Sequence, residues 1–141
     1  MSLNKQQQEA KNYLMGAKYI DISIRSKLEQ IRALNDLATR ASATLSDMPG
    51  SSSRNVHKLE DVIVKIIDLQ DEISGDINEL IAVKKKINKS ISLIDDREER
   101  IVLEERYLRN SKWEDIAGAC ECSMRQVFRI HDGALKKIEI F

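Results

Sequence analysis

The residues with the clearest capacity for chemistry lie near the C-terminal end, in the stretch from Ser123 to Ile138. Val127 and Ile130 have the spacing of buried residues on one face of a helix, which turns the polar residues between them outward. The side chains expected to point outward are Met124, Arg125, Phe128 and Arg129, with Gln126 at the side. An arginine can pair bidentately with guanine, and a glutamine can do so with adenine. The stretch therefore holds residue types that could read the base edges of DNA.

The sequence shows no pattern typical of catalysis, phosphate binding or metal binding. It has no glycine-rich phosphate loop, and no nucleophile and base at a spacing that would bring them together. Cys120 and Cys122 lack the further ligands that a zinc site needs, and His57 and His131 are isolated. We interpret the cysteines as small buried residues, with redox sensing as the alternative. We therefore expect no enzymatic activity, no cofactor and no metal.

Three helix-start signals would position the candidate residues. Each is an acceptor side chain followed three residues later by Glu or Gln, a pairing that satisfies the free amide groups of a first helical turn. The pairs are Asp95 with Glu98, Ser111 with Glu114, and Ser123 with Gln126. They predict helices near 96–109, 112–120 and 124–138.

The second and third of these helices have the pattern of a helix-turn-helix. Tight crossing of two helices requires a small contact residue, here Ala117, and apolar residues in the angle between them. The residues expected there are Ile116, Cys120, Cys122, Val127 and Ile130, with Leu103, Tyr107 and Leu108 of the preceding helix completing a three-helix core. Glu121 occupies the turn position where glycine is usual. The turn is therefore either reshaped or strained by roughly 1 kcal/mol.

The first two thirds of the chain predict long helices. Charged residues make up 33 % of the chain and aromatic residues 4 %, with one proline and five glycines, a composition that favours an all-α protein. A cluster of Pro, Gly and Ser at 48–54 separates two helical stretches. The first stretch opens with a predicted capping box of Asn4 and Gln7, and its apolar stripe is interrupted by Asp21 and Asn35. The stripe consists of Leu14, Ala17, Ile24, Leu28, Ile31, Ala38 and Leu45.

The second stretch has a more regular pattern, with alternating steps of four and three residues held over five heptads. Its predicted seam is Leu59, Ile63, Ile66, Gln70, Ile73, Ile77, Leu80, Lys84, Ile87, Ile91 and Ile94. A new helix start at Ser74-Gly75-Asp76 is the alternative, but the heptad phase continues across it and we expect one helix. Residues 1–94 therefore predict a long antiparallel, coiled-coil-like helical hairpin, and residues 95–141 a three-helix helix-turn-helix domain.

Four runs in the C-terminal third carry a family resemblance: Asp96–Leu108, Trp113–Ala117, Ser123–Val127 and Ala134–Ile138. Together they resemble the fourth region of sigma-70 factors, and the whole layout is similar to phage and prophage transcriptional regulators of the RinA and ArpU type. The resemblance implies a DNA-binding domain whose base contacts are made by Arg125, Gln126, Arg129 and Met124. The side chains expected at the DNA backbone are Ser123, Arg106, Arg109, Lys112, Lys136 and Lys137.

The charge of this domain is not that of a strong solitary DNA binder. Residues 95–141 contain nine Lys and Arg against eleven Asp and Glu, and binding through phosphate neutralisation scales with the number of contacts. We therefore expect a homodimer or higher oligomer through the N-terminal helices, or docking on RNA polymerase, to assist binding.

The leading hypothesis is a non-enzymatic, phage-type transcriptional regulator that binds specific sequences of double-stranded DNA. One alternative is a module that binds RNA polymerase and contacts DNA only secondarily. Another is a phage packaging protein resembling a small terminase subunit. The sequence has no secretory signal and no apolar run near the roughly 18 residues of a membrane span, so we expect a cytoplasmic protein without membrane contact.

Overall fold

A computed structural model describes residues 2–47 and 52–141, and within these ranges the only regular secondary structure is helical. The elements are α1 (Lys5–Asp47), α2 (Ser52–Ser92), α3 (Arg97–Leu103), α4 (Trp113–Cys120) and α5 (Met124–Leu135). A π-helical turn, Glu104–Leu108, continues α3. The predicted all-α fold, with two long helices followed by short ones, is confirmed. No helix in the described ranges is both long enough and apolar enough to cross a membrane.

The two predictions about helix continuity have different outcomes. The proposed break at 48–54 falls mainly on residues 48–51, which lie outside the described residues, whereas Ser52, Ser53 and Arg54 already belong to α2. The predicted continuity across Ser74-Gly75-Asp76 is confirmed, because α2 runs unbroken from Ser52 to Ser92. The added freedom of one glycine costs only about 1 kcal/mol in a helix, which the packing of α2 outweighs.

The chain forms two compact units. Unit 1 comprises Met1–Ile20 and Glu79–Phe141, and unit 2 comprises Asp21–Asn78. This division differs from the predicted boundary between residues 94 and 95. The reason is that the short C-terminal helices pack on the first part of α1 and the last part of α2, which makes those segments one body with them.

The core of unit 1 brings together residues from both long helices and from the C-terminal third. Its buried apolar members are Ala10, Leu14, Ala17, Ile87, Ile91, Ile94, Leu103, Tyr107, Ala134, Leu135 and Ile138. The hydroxyls of Tyr13 and Ser90 lie 3.0 Å apart, and that of Ser90 donates to the carbonyl oxygen of Glu139 at 2.6 Å. These polar contacts tie α1, α2 and the C-terminal segment into one packed body.

The predicted capping box at the start of α1 is confirmed and has a second role. The backbone amide of Asn4 donates to Gln7 Oε1 at 2.9 Å, and the backbone amide of Gln7 donates to Asn4 Oδ1 at 2.8 Å. The buried Gln7 side chain also donates through Nε2 to the carbonyl oxygen of Asp132 in α5, at 2.8 Å. One side chain therefore both begins α1 and anchors α5 to it.

Unit 2 is an antiparallel pair formed by the remainder of α1 and the beginning of α2. Its buried apolar residues, among those described, are Ile24, Leu69 and Ile73. Lys27 Nζ lies 2.6 Å from Asp76 Oδ2, with each side chain 21 % exposed. The hydrogen bond from Lys27 to Asp76 raises the pKa of the lysine, which is therefore charged at neutral pH. An ion pair thus occupies a place in unit 2 where apolar residues would otherwise meet.

The seam between the helices of unit 2 differs at every second position from the predicted one. On α2 the covered positions are Leu59, Val62, Ile66, Leu69, Ile73 and Asp76, whereas the predicted Ile63, Gln70 and Ile77 are exposed. On α1, Lys27 is partly covered and the predicted Leu28 is 51 % exposed. Leu45 lies outside the residues whose side chains are described. Helix α2 is rotated slightly from the predicted orientation, which turns Gln70 outward and buries Leu69 in its place.

Candidate nucleic-acid interface

Helix α5 carries the residues predicted to read DNA bases, and its inner face is packed against the rest of the domain. The hydroxyl of Ser123 accepts a hydrogen bond from the backbone amide of Gln126 at 3.1 Å, so Ser123 caps the start of α5 as predicted. Its inner face is held by buried residues, namely Val127, His131, Ala134 and Leu135. On its outer face Arg125, Gln126 and Arg129 are all exposed. Met124 is only half-buried and packs on the apolar cluster below, so it is less available than these three.

The crossing of α4 and α5 is closed by a small apolar cluster. Its buried members are Val102, Ile116, Ala117 and Val127, and the half-buried residues around it are Trp113, Cys120, Cys122, Met124 and Ile130. Leu103 and Tyr107, predicted to complete the three-helix core, do pack with Ala134 and Leu135 of α5, but as part of the larger core of unit 1 and not of this cluster. Val102, one residue earlier, takes their place because α3 is packed on both sides.

The turn between α4 and α5 keeps its usual course despite the absence of glycine. Glu121 adopts the left-handed conformation, with φ 54° and ψ 42°. The Glu121 amide donates to the carbonyl oxygen of Gly118 at 3.2 Å, and the Cys122 amide donates to that of Ala117 at 3.1 Å. Of the two possibilities that the sequence left open, the strained backbone is therefore the one found.

The other two predicted helix starts need correction. Helix α3 is capped by Asp96, whose Oδ1 accepts from the Glu99 amide at 3.1 Å, and not by Asp95. Helix α4 begins after Lys112 without a side-chain cap. The hydroxyl of Ser111, predicted to cap it, donates instead to Glu105 Oε2 at 3.0 Å. The Glu105 carboxylate, six residues earlier in the chain, takes that hydroxyl.

A cluster of aromatic rings, which sequence reasoning missed, holds α5 against the preceding helices. The Trp113 ring lies edge-on to those of Phe128 and His131, with 5.0 Å between centroids in each case. The Tyr107 hydroxyl lies 2.6 Å from His131 Nε2, and Asp132 Oδ1 lies 3.0 Å from His131 Nδ1. His131 is thus a core residue with both ring nitrogens paired. Only the four-residue spacing of Val127 and His131 could have suggested its burial.

Burial of this cluster determines the protonation of its members. Desolvation lowers the pKa of His131, against the opposing effect of Asp132. Desolvation also raises the pKa of Tyr107 to about 12. At neutral pH the tyrosine is therefore protonated and can donate to a neutral imidazole, whose other nitrogen can donate to Asp132.

The predicted DNA-backbone residues are in different situations. Arg106 stacks over the Trp113 ring at 4.5 Å and donates to the carbonyl oxygen of Ser111 at 3.1 Å, so it stabilises the fold. Arg109 pairs with Glu105 at 3.0 Å. Lys137 pairs with the buried carboxylate of Glu99, which raises the lysine pKa. Lys112 and Lys136 are exposed, as is Ser123 at the start of α5.

Acidic side chains lie close to Arg129, one of the residues predicted to read DNA bases. A shallow cleft of about 390 Å³ between α3 and α5 is lined by Asp96, Glu98 and Glu99 together with Arg129, Lys136 and Lys137. Carboxylates close to Arg129 weaken its attraction for a phosphate. Arg125 does not line that cleft.

The two cysteines have the character of packing residues. Cys120 and Cys122 are half-buried free thiols beside the apolar cluster of the helix-turn-helix. Burial raises the pKa of Cys120, which keeps it in the less reactive thiol form at neutral pH.

Comparison with known proteins gives a family and no closer relative. A family model described as "Protein of unknown function (DUF1492)" matches residues 37–139, a range that includes the whole helix-turn-helix. No curated protein and no solved structure matches the chain. Since the matched range is well over half of the sequence, the chain belongs to the DUF1492 family.

Proposed function

We propose that this protein is a sequence-specific DNA-binding transcriptional regulator of phage type, with α5 as its recognition helix. The observation that carries the proposal is the exposure of Arg125, Gln126 and Arg129 on the outer face of a capped helix whose inner face is buried. In helix-turn-helix proteins the first residues of the second helix reach the base edges of the major groove. Arg125 and Gln126 lie in that first turn.

The packing below α5 suits a reading role. Base recognition requires side chains held in register, and α5 is fixed by Val127, by the aromatic cluster and by the bond from Gln7 to Asp132. Arg125 would pair with guanine and Gln126 with adenine, while Ser123 and the free amides at the helix start would hold a phosphate. Lys112 and Lys136 are exposed and would contact the phosphates of the DNA backbone.

The acidic surroundings of Arg129 predict modest affinity for one copy of the domain. With Arg106 stacked on Trp113 and Lys137 paired with Glu99, few of the predicted cations are available to neutralise phosphates. Fewer phosphate contacts give a shallower dependence of binding on salt. A regulator built in this way would gain affinity by presenting two recognition helices to two half-sites.

The test is a selection of bound duplexes from a random-sequence DNA library at fixed salt, followed by affinity measurements on the selected site. Arg125→Ala should weaken binding by about 1–3 kcal/mol, or roughly 5–150-fold, and relax the preference at one base pair. Arg32→Ala, which removes an exposed arginine from α1, is the matched control and should bind as the unmodified protein does. Failure to enrich any sequence would overturn the proposal.

A second candidate function is favoured by the carboxylates around the cleft between α3 and α5. Asp96 and Glu98 are exposed beside Arg129, and such a surface suits a basic protein partner better than DNA. This candidate is a module that binds RNA polymerase and contacts DNA only secondarily. Capture of purified polymerase that persists after nuclease treatment and is lost in Glu98→Lys would favour it over direct DNA reading.

A further inference from the structure

Helix α2 has a second apolar stripe within unit 2 that the contact with α1 leaves uncovered. Ile63 is 45 % exposed, Ile67 is 50 % exposed and Ile77 is 43 % exposed, and the exposed Gln70 and Ser74 lie between them. The steps from Ile63 to Ile77 are four, three, four and three residues, the repeat of a coiled-coil seam. We call these five residues the outer stripe.

The outer stripe is free of charge, although the helix around it is not. At about 100° per residue, its members occupy one sector of α2. The charged residues of the same segment fall outside that sector and are Lys65, Asp68, Asp71, Glu72 and Asp76. Depletion of charged residues at the centre of an apolar surface is the compositional mark of a protein interface.

Unit 2 also has too little core for its size. Within the described residues its buried apolar side chains are Ile24, Leu69 and Ile73, and an ion pair occupies the seam beside them. Isolated helix pairs of this kind gain most of their stability by packing a further apolar face. The three exposed isoleucines are the natural candidates for that packing.

We propose that the outer stripe is the seam of a homodimer in which the α2 helices of two copies pack antiparallel. The sequence of the stripe fits a second copy of itself. In an antiparallel pairing, Ile67 of one copy lies opposite Ile77 of the other, and Gln70 lies opposite Ser74. Apolar then meets apolar and the two uncharged polar residues meet each other, as an isologous interface requires. A shift by one heptad would place Ile67 opposite Gln70.

The proposed interface is narrow. Residues 63–77 span roughly 21 Å of α2 at about 1.5 Å per residue, and a helix pair packed over that length buries less than the roughly 800 Å² per partner of a standard interface. We therefore expect a dimer that dissociates on dilution. Gln70 at the centre costs some stability but fixes the register, as single polar residues do in coiled coils. This inference concerns unit 2 and does not depend on the proposed DNA-binding function.

The test compares two exposed positions on opposite sides of α2, Ile67 and Lys65. In sedimentation equilibrium without DNA, the full chain should show twice its 16.1 kDa mass. Ile67→Asp should weaken the dimer by about 100-fold or more, because the charge is buried once in each half of the interface. Lys65→Asp is the control, since Lys65 is exposed and lies on the side of α2 opposite Ile67, and it should leave the dissociation constant within about threefold. Circular dichroism verifies that both remain helical, and Ile67→Ala replaces Ile67→Asp if the latter unfolds.

Three outcomes would overturn the proposal: a monomer at every concentration, a ring-sized oligomer, or equal dissociation by Lys65→Asp and Ile67→Asp. The register has its own test. A mixture of Gln70→Cys and Ser74→Cys copies, each with a different tag, should form disulfide-linked heterodimers on mild oxidation. Preferential linking of Gln70→Cys to itself would contradict the antiparallel register proposed.

Discussion

Units 1 and 2 contain segments of the same two helices but differ in what those helices bury. In unit 1, α1 and α2 enclose a core of eleven buried apolar residues that also holds the C-terminal helices. In unit 2 they bury Ile24, Leu69 and Ile73 and admit the ion pair of Lys27 and Asp76. Helix pairing alone thus gives a thin core, and the helix-turn-helix thickens it where it packs on α1 and α2.

The largest expected effect tests this difference directly with two Leu→Ala substitutions on α1. Leu14 is fully buried in unit 1, whereas Leu37 is 49 % exposed in unit 2. Leu14→Ala should cost about 2–5 kcal/mol, because it removes buried atoms and leaves a cavity. Leu37→Ala should cost less than about 1 kcal/mol. Circular dichroism during urea unfolding follows the helices of both units, whereas the fluorescence of Trp113, the single tryptophan, follows unit 1 alone.

Similar losses from both variants would contradict this difference between the units, unless a second copy of the chain covers Leu37 in solution. Repeating the measurement in Ile67→Asp separates these two cases. If the homodimer supplies the missing burial, the difference between Leu14→Ala and Leu37→Ala should be larger in that background.

The sequence predicted helix type and order well, because local signals determine them. The reciprocal bonds of Asn4 and Gln7, and the cap at Ser123, depend on residues a turn apart and were identified correctly. Asp95 and Asp96 are each followed three residues later by Glu, so the pattern fits both, and tertiary packing selects Asp96. The Ser111 cap failed because Glu105, six residues away, takes its hydroxyl.

The rotation of the long helices could not be read from spacing. Positions 59, 66 and 73 are shared by two overlapping heptad stripes, one continuing through Leu69 and the other through Gln70. Which stripe meets α1 depends on the partner surface, and there Lys27 pairs with Asp76. The candidate site shows the same limit: the exposure of Arg125 and Arg129 followed from periodicity, whereas the engagement of Arg106 with Trp113 required the fold.

An effect of intermediate size is expected from acidification, which should lower the free energy of unfolding of unit 1 alone. Burial lowers the pKa of His131 below its ordinary 6.5, so near that pH the unfolded chain binds more protons than the folded one. The stability of unit 1 should therefore fall as the pH decreases through 6.5 towards the folded pKa, by at most about 1.4 kcal/mol per pH unit. Urea unfolding monitored by Trp113 at pH 7.5 and 5.5 measures the loss.

His131→Gln is the comparison for this effect, because it retains polar atoms but does not titrate. It should be less stable at pH 7.5 and lose less stability on acidification than the unmodified protein. His57 provides the control from unit 2, where its side chain is 79 % exposed, so that His57→Gln should leave the acid dependence unchanged. An equal acid dependence in all three proteins would show that carboxylates, and not His131, govern it.

The smallest expected effect concerns a place where the well-packed unit 1 carries local strain. Glu121 is left-handed in the turn of the helix-turn-helix, a conformation that costs a residue with a Cβ roughly 1–2 kcal/mol. Glu121→Gly removes that penalty but increases the entropy of the unfolded chain, so the net gain should be about 0.5–1 kcal/mol. Asn110 is also left-handed, at φ 56°, but asparagine tolerates this conformation, so Asn110→Gly should gain less. Gains of the same size in both variants would mean that the left-handed conformation costs glutamate no more than it costs asparagine. A loss in Glu121→Gly would mean that the glutamate side chain stabilises the turn by more than the strain costs.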